Sequence, residues 1–213
     1  MPKETFYNLP DEKRRLIEDV AIDEFSEYGF DKGSINRIVV AAKIAKGSFY
    51  QYFDDKKDLF THLMRCIAEQ KVAFMSPVLA NPDEHDFFTI LEALFHSGLM
   101  FAKENPKAAL LGNQFFSNRE HPILKDVFKT NLNFAKDFYV NLLDIAISRG
   151  DVRANINYDF TIHMLISTNI SILEYYFEDL GQDFDMSHLD DDVMDTVRLS
   201  LNFIKNGIAN SEK

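Results

Sequence analysis

The stretch that decides the fold is residues 34–57, SINRIVVAAKIAKGSFYQYFDDKK. At helical spacing Ile35, Ile38 and Val39 point to one side, and Ser34 stands where its hydroxyl can cap the first free amides. A short helix is expected from there to about Ala42, and a second, about Ala45–Gln51, begins after a break of only a few residues. Ile38, Val39, Ala42 and Ile44 can lock the first helix and the turn onto a core. Lys46-Gly47-Ser48-Phe49-Tyr50 sets out a cation, a gap in the side-chain surface, a hydroxyl and a phenol in succession. Two short helices joined by a tight turn, the second presenting small and polar groups, form the arrangement that enters the major groove of DNA.

Upstream, Leu9-Pro10-Asp11-Glu12 reads as a helix start, with proline tolerated and acids favoured in the first turn. Leu16, Ile17, Val20, Ala21, Phe25 and Tyr28 form its apolar stripe, and Gly29 is expected to supply a left-handed stop. Downstream, Asp54 or Asp55 can cap a long helix carrying Leu59, Phe60, Leu63, Met64 and Ile67 towards Pro77. Further helices are expected at about 86–104, 107–117, 122–149, 157–180 and 189–209, with a loop at 181–192. No run alternates with the period of a strand, so the fold is expected to be all-α. About nine helices divide into a helix-turn-helix domain, 1–54, and a larger helical domain, 55–213.

The net charge of −11 argues against a polyanionic partner, but its distribution argues less strongly. Residues 1–60 hold ten Lys/Arg against twelve Asp/Glu, leaving thirteen against twenty-two for the rest. Within 33–57, Arg37, Lys43, Lys46, Lys56 and Lys57 face only Asp54 and Asp55, a local basic face that suits DNA or is simply a solvated surface. No segment has the apolar length of a membrane helix, and the charged start MPKETFYNLPDEKRR lacks a secretory core, so the cytoplasm and no membrane partner are expected. The single cysteine, Cys66, excludes an internal disulfide and a Cys-rich metal site.

From Ile17 to about Leu63 the sequence resembles the TetR family of bacterial regulators. The resemblance lies in Glu27-Tyr28-Gly29-Phe30, Ser34, Ile38, Ala42, the run Lys46-Gly47-Ser48-Phe49-Tyr50-Gln51-Tyr52-Phe53, and then Asp55-Lys56 and Leu59. It implies a homodimeric regulator, a repressor, released from a palindromic operator by a small molecule. It also implies that Tyr50 and Lys56 place their polar ends on DNA phosphates, while bases are read by the recognition helix with Lys46 and Ser48 and by Asn36 and Arg37 before it. Ser34 and Gly47 complete the expected contact set, Gly47 by letting the backbone approach closely. Phe49 is open to either role, since the family commonly has an inward leucine there. The chain departs from the family with Lys43 in the turn, where glycine is usual, and with Ala45 at the cap, where Ser or Thr is frequent. Each departure costs about 1 kcal/mol, which points to a looser turn unless Lys43 gains a phosphate contact.

Fifteen Phe and Tyr lie within residues 87–177, and most must be core. Rings packed between helices also leave apolar concavities, so Phe88, Phe95, Phe101, Phe115, Phe116, Phe138, Tyr139 and Tyr175 are candidates for a pocket holding a partly hydrophobic effector. The last two helices carry Ile162, Ile166, Asn169, Ile170, Leu173 and Phe177, and Val193, Val197, Leu201, Ile204 and Ile208. These faces can bury each other within one chain or form a four-helix seam between two. The resemblance favours the seam, with Ile166, Ile170, Leu173, Val193, Val197, Leu201 and Ile204 at the dimer interface. His96 and His163 lie within helices, and His62, His85, His121 and His188 show no HxxxH or HExxH spacing, so no metal and no cofactor are expected. No nucleophile elbow, phosphate loop or Glu-x-x-His pair marks an enzyme. A helical carrier of apolar ligands that does not bind DNA is the remaining alternative.

Overall fold

The computed structural model describes residues 2–79, 85–118, 120–180 and 191–208. They form ten helices and no strand among the described residues: α1 (Glu4–Tyr7), α2 (Asp11–Lys32), α3 (Ile35–Ala41), α4 (Lys46–Tyr52), α5 (Lys56–Leu79), α6 (Phe87–Glu104), α7 (Pro106–Ser117), α8 (Lys125–Ser148), α9 (Tyr158–Leu180) and α10 (Asp191–Ile208). The all-α expectation holds, and the short α1 adds one helix to the expected nine. The loop expected at 181–192 and His188 lie outside the described residues, apart from the first turn of α10. No helix among the described residues is long and apolar enough to cross a membrane.

The chain forms two compact units, one of Met1–Gln70 with Asn105–Asn131 and the other of Lys71–Glu104 with Leu132–Lys213. The compact division therefore differs from a cut at residue 54, because the start of α5 and all of α7 complete the first unit. Ile17, Ala21 and Phe25 of α2, Ile38 and Val39 of α3, Phe49 of α4 and Leu59, Phe60 and Leu63 of α5 are all buried there. Against α2, Gln114 of α7 donates its amide to the Ser26 carbonyl at 3.0 Å, and Lys107 pairs with Asp23 at 2.7 Å.

Three local expectations change. Leu16 and Tyr28 of the α2 stripe are exposed, while Glu24 is buried, because Glu24 and the Tyr28 ring both serve Arg37. Gly29 does break α2 with a positive φ of 70°, but the backbone then resumes helical hydrogen bonding to Lys32. Pro77 lies inside α5 rather than ending it. A proline there frees the carbonyl four residues back, and the Ser76 hydroxyl takes that Ala73 oxygen at 2.7 Å.

In the second unit, Phe87, Leu91 and Leu94 of α6, Leu143 and Ala146 of α8, Ile162 and Leu165 of α9 and Val193 and Val197 of α10 share one core. Asp86 caps α6 by accepting from the Phe88 and Thr89 amides at 2.8 and 3.1 Å. Gly150, with φ 72°, closes α8: its amide donates to Ile147 at 3.0 Å and that of Asp151 to Ala146 at 2.9 Å. Val193, Val197 and Leu201, expected at a dimer interface, are spent on this core with Ile166, and Ile170 and Ile204 pack against it. Burial within their own chain leaves little of Ile166, Val193, Val197 and Leu201 to face a second copy, whereas Ile170 and Ile204 are half-buried. The Leu173 side chain lies outside the described residues.

Candidate nucleic-acid interface

Helix α3 starts as expected, with the Ser34 hydroxyl accepting from the Arg37 amide at 3.4 Å. Its end is a Schellman motif built on lysine: the Lys43 amide donates to Val40 at 3.1 Å, the Ile44 amide to Val39 at 3.0 Å, and Lys43 sits at φ 52°. The turn thus keeps regular geometry without glycine. Part of the compensation comes from α2, where the Lys13 ammonium donates to the carbonyls of Ala42 at 2.8 Å and Lys43 at 3.4 Å. Helix α4 has no side-chain cap at Ala45.

The far end of α4 is held by the N-terminal segment, a feature sequence reasoning missed. The Lys3 amide donates to Tyr52 at 2.8 Å, its ammonium to Tyr50 at 3.0 Å, and the Thr5 hydroxyl to Gln51. Three carbonyls that a helix leaves without internal partners are thereby satisfied. Phe6 anchors this clasp, fully buried against Phe53 at 4.8 Å and His62 at 5.3 Å between ring centres.

Phe49 is buried, which gives it to the core. Asn36, Lys43, Lys46, Gly47 and Tyr50 are exposed, and Ser34 and Ser48 are half-buried. A Cβ added to Gly47 would meet nothing within 4 Å, so the fold itself does not need glycine there. Two expected contact residues have partners inside the chain. Arg37 donates from Nε to both Glu24 oxygens at 2.9 Å, from Nη2 to Glu24 Oε1 at 2.5 Å, and lies 4.3 Å over the Tyr28 ring. Burial opposes ionisation of Glu24, but the hydrogen bonds from Arg37 and from the Ser34 amide outweigh it and hold the carboxyl below its usual range. Lys56 donates to the carbonyls of Asp31 at 3.0 Å and Gly33 at 3.2 Å, fastening α5 to the end of α2. Asp55 caps α5 by accepting from the Asp58 amide at 2.7 Å.

Residues 17–63 match the family model described as bacterial regulatory proteins, tetR family. A helix-turn-helix-type transcriptional repressor of Mycobacterium tuberculosis is 31% identical over 96 residues, 41% of this chain and 51% of that protein, so the chain spans about half the length of that relative. The uncharacterised helix-turn-helix-type regulator YvdT of Bacillus subtilis is 25% identical over 86% of this chain and 89% of its own. The crystal structure of a TetR family transcriptional regulator from Chloroflexus aurantiacus superposes with a TM-score of 0.62 at 27% identity, over 98% of this chain and 99% of that one.

Residues 17–63 are similar to the DNA-binding segment of the TetR family, and nearly the whole chain is similar to regulators of that family. The proteins it resembles are helix-turn-helix transcription regulators.

The expected aromatic rings do not gather around one cavity among the described residues. Phe115 and Phe116 lie in the first unit, Phe115 buried against Phe60 and Phe116 against Phe128. Phe101 is buried against Phe74, and Phe88 lies beneath Lys205. Phe138 and Tyr139 pack edge to face on the core, where burial pushes the Tyr139 hydroxyl up to about 12. Tyr175 is 62% exposed. Phe88 lines an open groove of about 590 Å³, and Phe95 lines a separate, small cavity of about 30 Å³ with Leu94, Leu99, Asn169, Ile172, Val193 and Val197. Lys71 enters this apolar space beside Gly98, and burial alone pushes its ammonium below the usual range, with no anionic partner among the described residues.

One group of metal-ligating side chains comes together among the described residues, Glu18, His62 and Cys66. Spacing gave no sign of it, because Glu18 arrives from another helix. Burial, then the nearby Glu18 carboxylate, push the Cys66 thiol up to about 12, so without a metal it stays protonated at neutral pH.

Proposed function

We propose that the protein is a homodimeric repressor that docks α4 in the major groove of a palindromic operator and is released by a small apolar effector carrying an acidic group. The observation that carries the DNA half is the exposed face of α3 and α4. Lys43 and Lys46 have no protein partner among the described residues, and Tyr50 is 46% exposed with its hydroxyl likewise unclaimed. Glycine inside a helix costs about 0.5–1 kcal/mol relative to alanine. At Gly47 nothing in the chain requires that cost, whereas an approaching sugar-phosphate backbone does. Ser34, Asn36 and Ser48 flank this face, while Arg37 and Lys56 support it from behind through Glu24 and the end of α2. DNA binding falls to residues 1–54, and effector binding and dimerisation to residues after them.

The dimer reading moves from the buried stripes to exposed ones. Leu199 and Phe203 of α10 are 63% and 82% exposed, and Phe160, Met164 and Tyr175 of α9 are exposed as well. The proposed occupant of this apolar surface is a second copy, because two recognition helices set about 34–36 Å apart read a palindrome and double the phosphate contacts. For the effector, Lys71 supplies the support: an ammonium in apolar surroundings favours a ligand whose anionic end neutralises it, and because the cavity of about 30 Å³ has room for little more than a water, such a ligand enters only a conformer in which the surrounding helices have parted. Such a ligand releases DNA to the extent that it prefers a conformer with a different spacing of recognition helices.

A gel shift on the DNA upstream of the protein's own gene, at two salt concentrations, tests the reading. Salt-sensitive binding that Tyr50→Phe weakens uniformly across sequences, and that Lys46→Ala weakens with a change of sequence preference, supports it. Absence of binding at either salt concentration sinks it and favours the ligand carrier.

A further inference from the structure

We propose that Glu18, His62 and Cys66 form a site for a divalent transition-metal ion of the zinc class, with one coordination position left to solvent. Glu18 comes from α2, while His62 and Cys66 stand one turn apart on α5, on the same side of that helix. The three potential ligand atoms are already close. His62 Nε2 lies 2.7 Å from Glu18 Oε1, Cys66 Sγ 3.5 Å from the same nitrogen, and Cys66 Sγ 3.9 Å from the same oxygen. A tetrahedral zinc with bonds of about 2.0–2.3 Å holds such atoms roughly 3.3–3.6 Å apart. The 3.5 Å distance falls within that range, the 3.9 Å distance must close by about 0.3 Å, and the His62–Glu18 hydrogen bond must open by about 0.6 Å.

The chemistry of the set fits as well. A thiolate, an imidazole and a carboxylate offer soft, borderline and hard donors, which together suit zinc and its neighbours in the first transition row better than magnesium or calcium. On binding, the metal replaces the Cys66 thiol proton and takes the His62 Nε2 lone pair, and any proton held between Nε2 and Glu18 passes to His62 Nδ1 as the imidazole changes tautomer or leaves to solvent. A metal–sulfur, a metal–nitrogen and a metal–oxygen bond form, the thiol proton leaves to solvent, and nothing is oxidised or reduced. The dication is then balanced by the thiolate and the carboxylate. His62 is buried while Glu18 and Cys66 are half-buried, so the cluster is enclosed on one side and reachable on the other. Its neighbour is Phe6, the anchor of the clasp that holds the end of α4.

The test is a titration of the full-length, chelator-treated protein with Co²⁺, followed by optical absorption. The expected result is one cobalt per chain, with a thiolate-to-cobalt charge-transfer band and tetrahedral ligand-field bands that zinc abolishes by displacement. In Cys66→Ser, a nearly isosteric change, the charge-transfer band disappears. In Glu18→Gln the affinity falls at least tenfold. Circular dichroism and thermal melting of both variants establish that they are folded. Absence of any sulfur-to-cobalt band in the parent protein, or its persistence in Cys66→Ser, overturns the proposal. So does unchanged affinity in the folded Glu18→Gln variant.

Discussion

The Ile44 amide donates to the Val39 carbonyl at 3.0 Å across a turn whose middle residue, Lys43, stands at φ 52°. It is the only non-glycine residue with positive φ among the described ones. Where Gly150 makes the same motif without strain, Lys43 makes it with a Cβ that the left-handed region disfavours. Lys43→Gly should therefore stabilise the protein by about 1 kcal/mol, seen as a higher midpoint of thermal unfolding. Operator affinity measured on the same variant separates the two roles. A higher melting point with unchanged affinity removes Lys43 from the DNA contacts, and a loss of affinity places it there.

The Glu24–Arg37 pair gives stability a defined pH dependence. Glu24 titrates below its unfolded value, so its contribution is present in full above that value, about 4.3, and is lost as pH falls through the lower, folded one. Glu24→Gln removes hydrogen bonds to a charged partner, each worth about 1.5–3 kcal/mol, and should lower stability at pH 7. The difference between variant and parent should close as unfolding is measured at progressively lower pH below 4. A gap that stays constant down to pH 3 means that packing rather than ionisation supplies the effect.

Phe203 is 82% exposed on α10, one helical turn from Leu199. Phe203→Glu places a charge in the proposed seam and should weaken the dimer at least about thirtyfold, the effect of a 2 kcal/mol interface position. Sedimentation at graded concentrations reads it directly. Since α10 keeps Val193, Val197 and Leu201 on its own core, the helical content of the monomer should be unchanged. A parent protein already monomeric at high concentration rules out the seam.

Lys71→Met removes an uncompensated ammonium from an apolar cavity and should raise stability on the order of 1–2 kcal/mol. The same change should cost the protein its preference for decanoate over decanol, measured by calorimetry. Equal binding of both probes by the parent excludes an anion-directed effector site at Lys71.

Much of this molecule depends on interactions within four or five residues, and those were legible in the sequence. The Ser34 cap, the Asp55 cap and the positive φ at Gly29 follow from backbone hydrogen bonds and helical periodicity, which see only near neighbours, while Phe49 was open to either role until packing buried it. Tertiary structure decided the rest. Helices α9 and α10 each carry apolar residues on more than one side, and periodicity alone does not say which side the chain keeps for itself. Packing against α6 buried Val193 and Val197 and left Leu199 and Phe203 outside. The partners of Arg37, of the α4 carbonyls and of His62 lie 13 to 49 residues away along the chain. At such separations no local pattern favours one pairing over another, so Glu24, Lys3 and Glu18 acquired their roles only when the helices packed. The helix-turn-helix could thus be read from residues 34–57, but what holds it in place could not.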